Sequence, residues 1–198
     1  ARRRNGMRPA GEQTFDAIGA QWKPVAGLTL NYFWLDKVHR AAGGNALNTL
    51  ARARDLDTHL LNLAFKRGNQ QWVGYGYLHE DKDVASASTA TWGLRWTGAL
   101  DKSGQGFGWA AELARQTDYA QNPAHFSHNY WLLEPSWTQG KTTLRAGWEH
   151  LGGDGVTALQ TPLATLHAFN GWDDQFGVTP VKGLEDRYLS AGGKFGRG

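Results

Sequence analysis

Several short constellations in this sequence have residue types that could do chemistry, and spacing decides against most of them. His125-x-x-His128 has the interval of a metal-binding pair, but no third ligand lies at a usable distance along the chain. Asp173-Asp174 and Glu185-Asp186 bring carboxyl groups together, as glycoside hydrolysis requires. Adjacent loop residues point apart rather than flanking one bond, so solvated turns explain them better. Gly104-x-Gly106-x-Gly108 opens a strand rather than a strand-to-helix turn and is no phosphate cradle. Gly152-Gly153-Asp154-Gly155 has too few carboxylates around it for calcium. No catalytic residue is expected, the protein is not expected to be an enzyme, and neither a cofactor nor a metal is implied.

What survives is a set of charges read as sharing one face of successive strands. Lys66, Arg95 and Arg145 are the cations, with Lys37 near a strand end; Glu112, Glu134, Glu149 and Asp16 are read as facing the same way. Arginine offers a carboxylate bidentate geometry and lysine a point charge. The two signs nearly cancel. Either the cations select anionic solutes, or Arg95, Glu112, Arg145 and Glu149 form a structural ladder of salt bridges; both can hold.

The elements that must carry these residues are strands. The chain has 198 residues, 40% apolar and 20% charged, with 10 Trp, 6 Tyr, 8 Phe, 26 Gly and no Cys. Without cysteine there are no disulfides, thiolate metal sites or cysteine nucleophiles. No run of 18 apolar residues is present to form a transmembrane helix. The net charge of +3 is mostly local, because four Arg fall within the first eight residues; nucleic acid is not an expected partner. Strict alternation recurs at 57–66, 71–79, 89–98, 107–114, 128–137 and 141–150, with noisier strands at 13–22 and 28–38 and a last one at 186–195. In 89–98, Ala90, Trp92, Leu94 and Trp96 oppose Thr89, Thr91, Gly93, Arg95 and Thr97. About nine strands are expected and no helix.

The connections alternate short and long throughout, ending with a long one at 151–185. An up-and-down meander with all its long loops at one end is the pattern of a bacterial outer-membrane barrel, and strands of about 9–11 residues suit a tilted crossing. The expected fold is therefore all-β, a transmembrane antiparallel up-and-down β-barrel. Trp22, Trp34, Trp72, Trp137 and Tyr119 fall near strand ends, as an interfacial girdle would require. The competing reading places the rings in the core of a soluble barrel or sandwich. Nine strands are odd, whereas complete bacterial barrels have an even number. The chain also starts without Met or an apolar leader. Residues 1–11, with Arg2 to Arg8, then read as the remnant of an extracellular loop, and 12–198 as the C-terminal part of one barrel domain whose N-terminal strands are missing partners.

Gly11-Glu12-Gln13-Thr14-Phe15-Asp16-Ala17, the run Gln160 to Trp172 and the run Gly183 to Lys194 resemble segments of the alginate export family of outer-membrane proteins. Thr117-Asp118-Tyr119 with Asn122-Pro123, and Trp148 to Gly155, fit the same pattern, so the resemblance spans about 11–195. It implies a porin-like barrel of about 18 strands that exports an anionic polysaccharide. The end at Phe195-Gly196-Arg197-Gly198 departs from the terminal aromatic that barrel assembly usually reads.

On this reading Lys66, Arg95, Glu112, Arg145 and Glu149 line a pore. The loop 151–185 folds inward as a constriction, because Leu159, Leu163, Leu166, Phe169, Trp172 and Phe176 need a surface to pack on. Within it Thr161, Pro162, His167, Phe169, Asn170, Trp172 and Asp173 are the candidate contacts, with His167, Asn170 and Asp173 reaching sugar and Trp172 stacking on it. A plug with no ligand role is the alternative. Expected partners are membrane lipid and lipopolysaccharide, and an anionic polysaccharide or small solute; the expected location is the bacterial outer membrane. A general small-solute porin on the same scaffold and a soluble carbohydrate-binding β-protein are the other two functions that the sequence allows.

Overall fold

The computed structural model of the protein describes residues 13–40, 47–48, 51–101, 103–163 and 178–193. Nine strands follow one another: β1 (Thr14–Trp22), β2 (Leu28–His39), β3 (Arg54–Arg67), β4 (Gln70–Asp81), β5 (Thr89–Ala99), β6 (Gly106–Asp118), β7 (Ser127–Gln139), β8 (Thr142–Leu151) and β9 (Leu184–Gly193). Each pairs antiparallel with the next, giving one up-and-down sheet in chain order. The sheet is open: β1 and β9 each have a single neighbour. Among the described residues no α-helix is present, and a short 3-10 turn, Ala85–Ala87, precedes β5. Neither the basic stretch Arg2 to Arg8 nor Phe195 falls within the described residues.

The strands that alternation predicts are present, and several run further than predicted at their ends. β6 extends four residues past the predicted 114 and β3 begins at Arg54 rather than 57. The two-residue turns at 68–69 and 140–141 start with Gly68 at φ +59° and Gly140 at φ +60°. A two-residue hairpin whose twist matches its strands needs left-handed backbone at that position, which a residue with a Cβ resists.

The two faces of the sheet differ in chemistry. Ile18, Leu61, Leu63, Trp92, Leu94, Leu113, Leu133, Leu144 and Leu189 lie on one face, which we call outer, and all are exposed. At its short-turn end runs a band of rings. Phe65 stacks on Trp72 at 5.7 Å, Trp72 pairs in register with Trp96, Trp96 meets Trp109 edge-on at 5.0 Å, and Phe107 stacks on Trp109 at 6.1 Å. Phe107 then pairs with Trp137 on β7. Nearer the long-loop end, Trp131 packs edge-on against Trp148 at 4.3 Å and Arg187 sits 4.8 Å over the Trp148 ring. Trp34 is central in β2 rather than near its end as predicted, and its indole donates to Asp57 at 2.8 Å.

Buried apolar residues are few. Leu35, Val38 and Leu56 form one cluster with Leu60 and Leu163 on the inner face. Asp16 and Lys37, expected to face inward, do not. Asp16 pairs with Lys37, and Lys37 bonds Asp55 at 2.6 Å, all on the outer face. For Asp16, plain alternation already joins it to Ile18. For Lys37 the cause is a bulge at Asp36, where the register jumps from Leu35 to Lys37 and reverses which face the following residues take.

Candidate functional site

The inner face carries Lys66, Arg95, Arg145, Glu112, Glu134 and Glu149 as alternation assigned them, and most are joined with tyrosines into a network. Arg95 and Glu112 are register partners on β5 and β6, with Arg95 Nη1 2.5 Å from Glu112 Oε2. The Tyr75 hydroxyl donates to the other oxygen of Glu112 at 2.6 Å. Tyr130 donates to Glu149 at 2.8 Å, and Tyr188 to Glu134 at 2.5 Å. Arg145 pairs with Glu134 at 3.8 Å rather than with Glu149. Half of the expected ladder is thus present: the Arg95–Glu112 rung stands, whereas Glu149 is bonded by a phenol. Lys66 shares this face but sits at the short-turn end, opposite Gln71 and away from the network.

Glycines make room for two of these tyrosines. Gly93 is the register partner of Tyr75 and Gly147 that of Tyr188. In both pairs the tyrosine ring occupies the space that a Cβ would need. Gly76 under Trp92 and Gly98 under Trp109 repeat the arrangement on the outer face. The ring covers the bare backbone of the glycine and is held flat along the sheet, which fixes where the Tyr75 hydroxyl meets Glu112.

Toward the long-loop end the inner face buries charge. Arg54 and Asp81 form an ion pair with side chains only 2% and 0% exposed. Asp81 also accepts from the backbone of Val84 at 2.8 Å, ordering the turn after β4. Beside it Thr58 shares a 2.8 Å hydrogen bond with His79 Nδ1. Arg40 follows β2; burial, and then the neighbouring Arg54 guanidinium, lower its pKa from the usual arginine range.

The first part of the long loop crosses this face. Ala158 and Leu159 are buried. Gln116 of β6 grips the chain from both sides, its amide nitrogen 2.8 Å from the Gln160 carbonyl and its amide oxygen 2.7 Å from the Gln160 N–H. Further along, Arg40 donates to the Pro162 carbonyl at 3.0 Å and Gln13 to the Leu163 carbonyl at 2.6 Å. The strap therefore runs from β8, over β6, to β1 and β2. A tight turn precedes it, in which the N–H groups of Thr157 and Val156, at 2.7 and 2.8 Å, hold Asp154 below the usual carboxylate range. Replacing Gln116 with Ala removes both amide bonds while burying the Gln160 backbone unpaired, a loss of about 1–3 kcal/mol. Limited proteolysis within 152–163 should accelerate about tenfold or more; an unchanged rate would mean that Leu163 and Arg40 hold the strap without Gln116.

Sheet and strap together line a half-open cavity of about 570 Å³. Its lining includes Tyr75, Tyr77, His79, Arg95, Glu112, Gln116, Tyr130 and Glu149 from β4 to β8, and Leu159 to Leu163 from the strap. Of the predicted residues, Arg95, Glu112, Glu149, Thr161 and Pro162 meet here, and Arg145 and Lys66 do not. His167, Phe169, Asn170, Trp172 and Asp173 lie outside the described residues. Gln116, Tyr75, Tyr130 and Arg54 were missed. Their places on the alternating inner face were readable, but an uncharged or strand-end residue gives no sign of a partner 19 to 44 positions away. His125 and His128 have separate partners, Asp118 and Thr157, and among the described residues no three metal-ligating side chains converge.

Fold and site define an all-β protein built on one antiparallel meander, with an exposed apolar outer face and a polar inner face roofed by its own loop. Comparison with family models, with curated proteins and with solved structures finds no match to this chain.

Proposed function

We propose that this chain forms the wall of a porin-like β-barrel in a bacterial outer membrane, similar to the alginate exporters, through which solute passes passively. The observation that supports it is the inversion of ordinary burial: large apolar side chains cover the outer face while tyrosines, acids and arginines fill the inner one. In water an apolar face of that extent demands a partner. Against lipid it is the solvated surface, and the ring band from Phe65 to Trp137 suits the depth of one headgroup region. An open edge is costly in hydrocarbon, so β1 and β9 must be covered by each other or by further strands of the same barrel.

For the solute, an anionic polysaccharide would need cations free to exchange water for its carboxylates. The pairing of Arg95 with Glu112 and of Arg145 with Glu134 favours the second reading, a small-solute porin on the same scaffold. A soluble carbohydrate-binding protein is the third reading, and fractionation separates it from the other two. The protein should enter the outer-membrane fraction, resist extraction by salt and urea, and conduct in a planar bilayer. Recovery as a soluble monomer without detergent would overturn the membrane reading. Reversal potentials in a salt gradient then divide the first two: anion preference abolished by Arg95→Ala with Arg145→Ala supports polysaccharide passage, and unselective conductance supports the porin.

A further inference from the structure

The cavity between the sheet and the strap is chemically more specific than a passage. Its volume of about 570 Å³ lies in the ~300–1,000 Å³ range of small-molecule sites. Tyr75 and Tyr77 stack at 4.9 Å, offering an aromatic wall, and the Tyr130 ring stands on β7 across the cavity. Among the described residues the charged groups in the lining are one guanidinium, Arg95, and two carboxylates, Glu112 and Glu149. Arg95 is committed to Glu112, and Glu149 is bonded by the Tyr130 hydroxyl rather than by a cation. With histidine neutral, the lining carries a net negative charge.

We propose that this cavity is a binding site for an uncharged saccharide unit. The inference rests on reading the inner face as the side that solute touches. Aromatic rings suit the apolar C–H faces of a pyranose. Carboxylates bridged to a guanidinium present adjacent acceptors and donors to vicinal hydroxyls, and Arg95 keeps N–H groups beyond the one given to Glu112. A uronate, by contrast, would bring a third carboxylate beside Glu112 and Glu149 with no unpaired cation among the described lining residues to meet it, and like charges in a partly desolvated site repel.

Equilibrium titrations of the detergent-solubilised protein, read by tryptophan fluorescence, should use maltotriose as the neutral probe and tri-galacturonate as the anionic one. Maltotriose is expected to bind at least about tenfold more tightly. Glu149→Gln should narrow that gap mainly by strengthening the uronate, because it deletes charge and keeps the shape. Tyr75→Phe, which removes only the hydroxyl on Glu112, should weaken maltotriose several-fold while leaving the fold intact by circular dichroism. Equal or tighter binding of tri-galacturonate overturns the proposal, as does binding of neither probe. Bilayer conductance is measured on the same protein: loss of conductance would sink the channel reading, whereas a conducting protein without sugar preference would sink this inference alone.

Discussion

Leu94→Arg is expected to cost about 2–4 kcal/mol in a bilayer, the range for a cation placed at the midplane of a barrel's lipid face. Leu94 is the middle residue of β5, 54% exposed, and its register partner Leu113 is 67% exposed. In a water-soluble protein a change at so open a position would stay within about half a kcal/mol, because an arginine there is simply hydrated. The substitution therefore separates the two environments by its magnitude. Refolding into lipid vesicles, followed by the urea dependence of the heat-sensitive gel shift, reads it directly. Thr97→Arg, on the opposite face of the same strand and outside the cavity lining, is the control, since in a water-filled lumen the charge is solvated. A neutral Leu94→Arg would remove the physical basis for placing the outer face in lipid.

Asp81→Ala should lose about 3–5 kcal/mol, because it leaves the Arg54 guanidinium buried without its counter-charge. Arg40 stands close by, its own charge disfavoured by the Arg54 guanidinium, and offers no counter-charge in place of Asp81. The N–H groups of Asp83 and Val84 also lose their acceptor, loosening the turn that leads into β5. Replacing both members of the pair, as Arg54→Met with Asp81→Leu, should recover most of the loss, since matched apolar side chains carry no desolvation penalty. Denaturant unfolding in micelles decides the matter. If Asp81→Ala lies within 1 kcal/mol of the parent, water reaches the pair and the long-loop end of the inner face is not closed.

Much of this organisation is legible along the chain because a strand repeats every two residues. Trp92, Leu94 and Trp96 against Thr91, Gly93 and Arg95 states which side of β5 is apolar, and regular register carries that to β4 and β6 without further information. The same rule fails at Lys37, where a single bulged residue turns the following side chain to the other face. Nothing in the type of Asp36 announces the bulge.

The strands, the alternation of short and long connections, and the sides taken by Arg95, Glu112, Arg145 and Glu149 follow from local periodicity and turn chemistry. Packing in three dimensions decided which charges meet: Arg145 with Glu134, Glu149 with Tyr130, Arg54 with Asp81. It also decided that the loop after β8 returns across β6 to β1 and β2, held by Gln116, Arg40 and Gln13. Those three pairs are diagonal contacts between neighbouring strands, where register leaves more than one inner-face partner within reach. The strap's contacts span several strands and depend on how the sheet bends toward its loop, and no short window of sequence records either.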